Sequence, residues 1–115
     1  LLLSFQALAQ AQTPEIDPAK GCVTNPARVA ACFKLEGRIF LANGTPSVRI
    51  ASGKRLFGVL PAEQEIMPAA LSENLAWGRE FQARFELCPF TRAKAQAMQF
   101  VCVESATRIR PRQIR

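Results

Sequence analysis

From Phe33 the chain alternates apolar or small residues with polar ones: Phe33, Leu35, Gly37, Ile39 and Leu41 take the odd positions, Lys34, Glu36 and Arg38 the even ones. Only Phe40 breaks the alternation. Successive side chains of an extended chain point to opposite faces, so a run of this length predicts a strand with one buried face. Asn43-Gly44 follows, and both residues accept the positive φ that a tight hairpin turn demands. A second strand is expected over Pro46 to Ala51, with Val48 and Ile50 on one face and Arg49 on the other. Ser52-Gly53-Lys54 supplies the next turn, and a third strand from Arg55 to Leu60 stops at Pro61.

The period then changes. Ala62 to Leu75 is rich in Ala, Glu, Gln, Leu and Met, all good helix formers. Pro68 inside a helix would remove a hydrogen bond, so the segment predicts a turn up to Met67 and a helix that opens with Pro68 at its first position. Leu71 and Leu75 share one face, and Gly78 is placed to end the helix. Alternation returns with Phe81, Ala83, Phe85 and Leu87 facing one way and Glu80, Gln82, Arg84 and Glu86 the other. After a loop from Pro89 to Ala97, a last strand is expected from Met98 to about Ile109, its Phe100-Val101-Cys102-Val103 run reading as buried on both sides. Three strands, a helix and two strands are the element order of the OB-fold. The expected fold is therefore mainly β, a small five-stranded OB-like barrel over residues 32–107 with one short helix between strands three and four. Gly37 and Gly58 fall mid-strand, where a small barrel must bend. A meander sheet with a packed helix satisfies the same order.

Length and composition narrow the function. At 115 residues, 49% hydrophobic and 21% charged, the chain has the size and composition of one globular domain. It holds no histidine, which removes Ser-His-Asp and Cys-His catalysis, His-containing zinc sites and the usual neutral-pH general base. Glu36, Glu80 and Glu86 lie on outward strand faces, and Ser52 and Ser72 have no base nearby. There is no Gly-rich phosphate loop and no CxxC pair, so neither a nucleotide, a metal nor an iron–sulfur cofactor is expected. A noncatalytic role is the reading that remains.

The stretch Leu1 to Gln12 is apolar and small, and reads as a signal-peptide remnant over residues 1–11, with cleavage after Ala9 or Ala11. It is shorter than the roughly 20 apolar residues that span a bilayer, and residues 12–31 read as an irregular segment with Pro14, Pro18, Gly21 and Pro26. Cys22, Cys32, Cys88 and Cys102 are an even set in a small exported domain, which predicts two disulfides. Proximity in sequence favours Cys22–Cys32 with Cys88–Cys102; the barrel also permits Cys32–Cys88. Export places the protein in the periplasm or secreted, without a transmembrane anchor.

Further residues carry a resemblance. Cys32-Phe33, Gly37-Arg38, Asn43-Gly44-x-Pro46-x-x-Arg49-Ile50 and Gly53-x-Arg55-x-x-Gly58-Val59 resemble a group of small exported proteobacterial proteins. So do Cys88-Pro89-Phe90-Thr91 and Met98 to Ala106. The resemblance covers most of residues 32–106 and implies export and a common fold. The group has no assigned activity, so no functional residue is carried over. Its members tend to have Trp after the Arg-Ile pair, where this chain has Ala51; a contact made by that Trp is missing here.

The charge is +6, from 15 basic and 9 acidic residues. Arg108, Arg110, Arg112 and Arg115 fall within a terminal stretch, 108–115, that holds no acid and reads as a basic tail. OB barrels bind ligands on the face of strands two and three and on the loops joining strands one–two and four–five. Arg49, Lys54, Arg55, Arg92 and Lys94 fall there and are the candidate ligand-binding residues, with the arginine tail assisting. Single-stranded nucleic acid would also need exposed aromatic platforms. Trp77 is the only Trp, Tyr is absent, and only Phe40, Phe57 and Phe90 are left by parity, so a nucleic-acid partner is disfavoured. The expected function is an exported binding module for an anionic envelope ligand, such as an acidic glycan or lipid head group. The alternative is a protein-interaction or hydrolase-inhibitor domain. Reversing the charge of Arg49 and Arg55 is expected to abolish anion binding without loss of thermal stability.

Overall fold

The alternating run becomes β1 (Phe33–Leu41), which pairs antiparallel with β2 (Val48–Ser52) on one side and β4 (Glu80–Pro89) on the other. β2 pairs antiparallel with β3 (Arg55–Val59), and β4 with β5 (Gln99–Arg112). A short parallel pairing of β3 with β5, Phe57 opposite Gln99, closes the barrel in the order β1-β2-β3-β5-β4. That closure and a short helix between β3 and β4, the one helix among the described residues, are the OB arrangement expected from the sequence. The computed structural model describes residues 15–60 and 67–112. The signal-peptide remnant and nearly all of the turn expected before Pro68 lie outside the described residues.

Inward positions fill the barrel: Ile39, Val48, Ile50, Phe57, Val59, Phe81, Ala83, Phe85, Leu87, Val101 and Val103 are all buried. The helix α1 (Ala69–Ser72) buries Leu71 in this core, and Leu75 packs beside it. α1 is one turn, shorter than the helix expected to run toward Gly78. Pro68 is its N-cap, with an extended ψ of 134°, instead of its first helical residue. Reaching β4 requires the chain to leave the helix early and reverse at Gly78, whose φ is +80°. At Gly37 β1 bends so closely over β2 that a Cβ would stand 2.7 Å from the Ala51 carbonyl oxygen. The Ser52 hydroxyl donates to the Glu36 carbonyl at 2.6 Å just past this point.

β5 runs beyond the expected end near Ile109. Arg110, Pro111 and Arg112 stand opposite Gln82, Phe81 and Glu80, so residues 108–112 of the expected basic tail belong to the sheet. The ladder slips between Gln82 and Arg84, where Arg108 and Ile109 together face Ala83. Arg108 sits in the left-handed region at φ 54°. Regular alternation would turn Arg108 inward after Ala106; the bulge takes up Arg108 as the extra residue, and Ile109 packs on the core instead.

The disulfides correct the local pairing favoured by sequence: they are Cys22–Cys102 and Cys32–Cys88. Cys88 and Cys102 stand directly opposite each other on β4 and β5. By parity with inward Leu87, Val101 and Val103 they point out of the barrel, into a second apolar cluster with Cys22, Ala27 and Phe90. The segment over residues 15–32 lies across this face without regular structure, and each strand cysteine meets one cysteine from it. Asn25 organises the segment from a buried position, accepting from the Asp17 amide at 3.2 Å and donating to the Asp17 carbonyl at 3.0 Å. Two disulfides fit an oxidising, extracellular-type environment. Among the described residues no helix is long and apolar enough to cross a membrane.

Candidate functional site

α1 follows β3 and precedes β4, so it closes the end of the barrel where β3 finishes. The start of β3 lies at the other end, beside the β4–β5 loop, because β3 and β5 run parallel. Here a cleft of 550 Å³ opens between the β2–β3 turn and that loop. Lys54, Arg55 and Lys94 line it, Leu56 and Met98 give it apolar wall, and among the described residues no carboxylate side chain lines it.

Arg55 is held by three groups. Its guanidinium carbon stands 4.8 Å from the Phe57 ring centroid and 5.2 Å from that of Phe33, a cation–π stack on both. Nη2 donates to Gln99 Oε1 at 3.4 Å. Buried Gln99 in turn donates through Nε2 to the Thr91 carbonyl at 2.9 Å, and Thr91 Oγ1 accepts from the Phe100 amide at 2.9 Å. The β4–β5 loop is thus tied at its base while residues 92–97 stay exposed. Cation–π contact with the rings and one hydrogen bond to Gln99 leave the guanidinium further N–H groups to offer an oxyanion. Lys54 and Lys94 are exposed on flexible stems and add positive potential from either side.

The structure brings together three of the five candidate residues. Lys54, Arg55 and Lys94 share the cleft; Arg49 and Arg92 do not line it. Arg49 turns back on the β1–β2 loop, where Nε donates to the Pro46 carbonyl at 3.2 Å and Nη2 to the Asn43 carbonyl at 2.9 Å. Arg92 is exposed at the base of the β4–β5 loop. Sequence reasoning missed Phe33 and Gln99 as supports of Arg55. Phe33 had core parity, and nothing in the local pattern marks a residue at a barrel rim as half-buried under a cation.

The aromatic candidates also change. Phe57 is 1% and Phe90 5% exposed, so both are core residues, against their reading as free platforms. Phe40 is half-buried beneath the Arg38 guanidinium at 5.3 Å. Trp77, 62% exposed, lies in the α1–β4 connection at the end of the barrel away from the cleft. Among the described residues one side-chain trio has metal-ligand proximity: Cys22 and Cys88 Sγ and the Glu104 carboxylate, within 4.8 Å of one another. Both sulfurs are in disulfides and are not thiolates, so the trio offers one hard ligand and does not fit a metal.

No family model, curated protein or solved structure matches this chain.

Proposed function

We propose that the protein is a noncatalytic binding module, exported to the periplasm or secreted, whose basic cleft receives an anionic envelope ligand: an acidic glycan or a lipid head group. The observation that carries this reading is one cleft lined by Lys54, Arg55 and Lys94 with no carboxylate side chain among the described residues. Arg55 is the preorganised anchor, since its rotamer is held by Phe33, Phe57 and Gln99 before any ligand arrives. The two lysines raise local anion concentration and add charge-assisted contacts. No cofactor enters this reading. Cleavage of a leader after Ala9 or Ala11, and kinship with the exported proteobacterial group, belong to the same proposal; the two disulfides support its oxidising compartment.

The test is binding of the oxidised protein to an acidic glycan and to single-stranded DNA across a salt series, with Lys54→Glu/Lys94→Glu as the variant. Both lysines are exposed, so the variant should keep its thermal midpoint and bind the glycan more weakly than the unsubstituted protein does. Affinity equal to that of the unsubstituted protein would overturn the proposal. Arg49 and Arg55 are poorer choices than the sequence suggested, because one holds a loop and the other covers two rings.

Exposed Trp77 favours a second reading, a protein-interaction or inhibitor domain, since isolated exposed Trp is enriched at interface hot spots. Capture of a protein partner that persists at high salt and is lost in Trp77→Ala would select it over the anion-binding reading.

A further inference from the structure

A second group of cations lies on the outer face of β4 and β5. There Arg84, Arg108 and Arg110 line a separate pocket of 320 Å³, with Glu36 and Gln82 at its edge and Ile109 in its wall. The register explains the convergence. Gln82 faces Arg110 and Arg84 faces Thr107, while the bulge adds Arg108 between them on the same outer side. Opposed Cβ atoms on such a face stand about 5 Å apart, and alternate residues along a strand about 7 Å, so three guanidiniums reach one small volume. Among the described residues none of the three is in an ion pair. Two neighbouring arginines are already engaged: Arg38 of β1 and Arg112 of β5 flank Glu80 at 3.1 Å and 3.6 Å. The bulge puts a side-chain-bearing residue at φ 54°, a conformation glycine adopts more readily, and that places a third guanidinium at the pocket.

We propose that this face is a second anion site, separate from the cleft, in which Arg84, Arg108 and Arg110 grip the carboxylate of a sugar acid in an acidic glycan. Arginine forks pair with carboxylates through two parallel hydrogen bonds. Glu36 and the Gln82 amide, which also line the pocket, are suited to sugar hydroxyls. Among the described residues no aromatic ring lines the pocket, so nucleic-acid bases find no platform there. The volume is at the low end of the roughly 300–1,000 Å³ of small-molecule sites, which fits a short saccharide.

The site is tested in the Lys54→Glu/Lys94→Glu protein, whose cleft is disabled, by calorimetric titration with trigalacturonate. Binding should remain, and adding Arg108→Gly should weaken it about tenfold, the loss of one charge-assisted contact. Glycine suits φ 54°, so the thermal midpoint should hold or rise and separates lost binding from lost folding. Arg84→Gln should weaken binding similarly. Loss of all trigalacturonate binding in Lys54→Glu/Lys94→Glu, an Arg108→Gly affinity equal to its parent's, or tighter binding of a single-stranded oligonucleotide of equal charge would each overturn the proposal. Failure of the cleft reading shows elsewhere, as glycan binding by the Arg108→Gly protein that the two lysine substitutions leave unchanged.

Discussion

Removing the disulfides pair by pair gives a quantitative check on their nesting. Cys22–Cys102 closes 80 residues and Cys32–Cys88, inside it, closes 56. Once the inner bridge exists, the outer one has only the flanking 80 − 56 = 24 positions left to close. On a chain-entropy model Cys22→Ser/Cys102→Ser should therefore cost about 3.4 kcal/mol, against about 4.5 kcal/mol for an isolated loop of the full length. Cys32→Ser/Cys88→Ser should cost about 3.1 kcal/mol, and the fourfold variant about 7.6 kcal/mol. The excess of about 1 kcal/mol over the two separate losses is the signature of one loop inside another. Urea unfolding of the three variants measures these differences, and thiol titration under denaturation counts free cysteines. Each pair variant should show none, because its remaining two cysteines are bonded partners. Two free thiols in both pair variants, with each as unstable as the fourfold variant, would mean that the bridges follow one of the other two connectivities and would refute the reasoning.

Gly37→Ala sets a Cβ 2.7 Å from the Ala51 carbonyl and should destabilise the barrel by about 1–3 kcal/mol. Gly21→Ala, whose added Cβ meets nothing within 4 Å, is its control in the same thermal melts. Arg49→Ala removes two hydrogen bonds to the β1–β2 loop and should cost about 1 kcal/mol, while anion affinity in the cleft stays that of the parent protein. A drop in affinity with unchanged stability would return Arg49 to the binding site.

What the sequence determined by itself is what local periodicity and short-range chemistry control. Alternation in Phe33–Leu41 and Glu80–Leu87 marked strands and their inward faces, because a strand's side-chain period is two wherever it lies. Element order then pointed to the barrel, since few closures satisfy three strands, a helix and two strands. Lys54, Arg55 and Lys94 were legible as neighbours only through that topology. The tertiary structure decided the rest. Arg49 looked like a ligand contact, yet it folds onto Asn43 and Pro46, carbonyls it meets only when the β1–β2 loop closes. Phe57 shares the inward parity of Val59, but its burial under Arg55 depends on Phe33 arriving from another strand. Arg110 and Arg112 were read as part of a tail because charge density suggests solvation, whereas pairing with β4 carries the strand past them. Cysteine pairing was settled by which side chains burial brought to the outer face of β4 and β5. Those contacts join residues tens of positions apart, and their energies depend on distances that only the closed barrel sets.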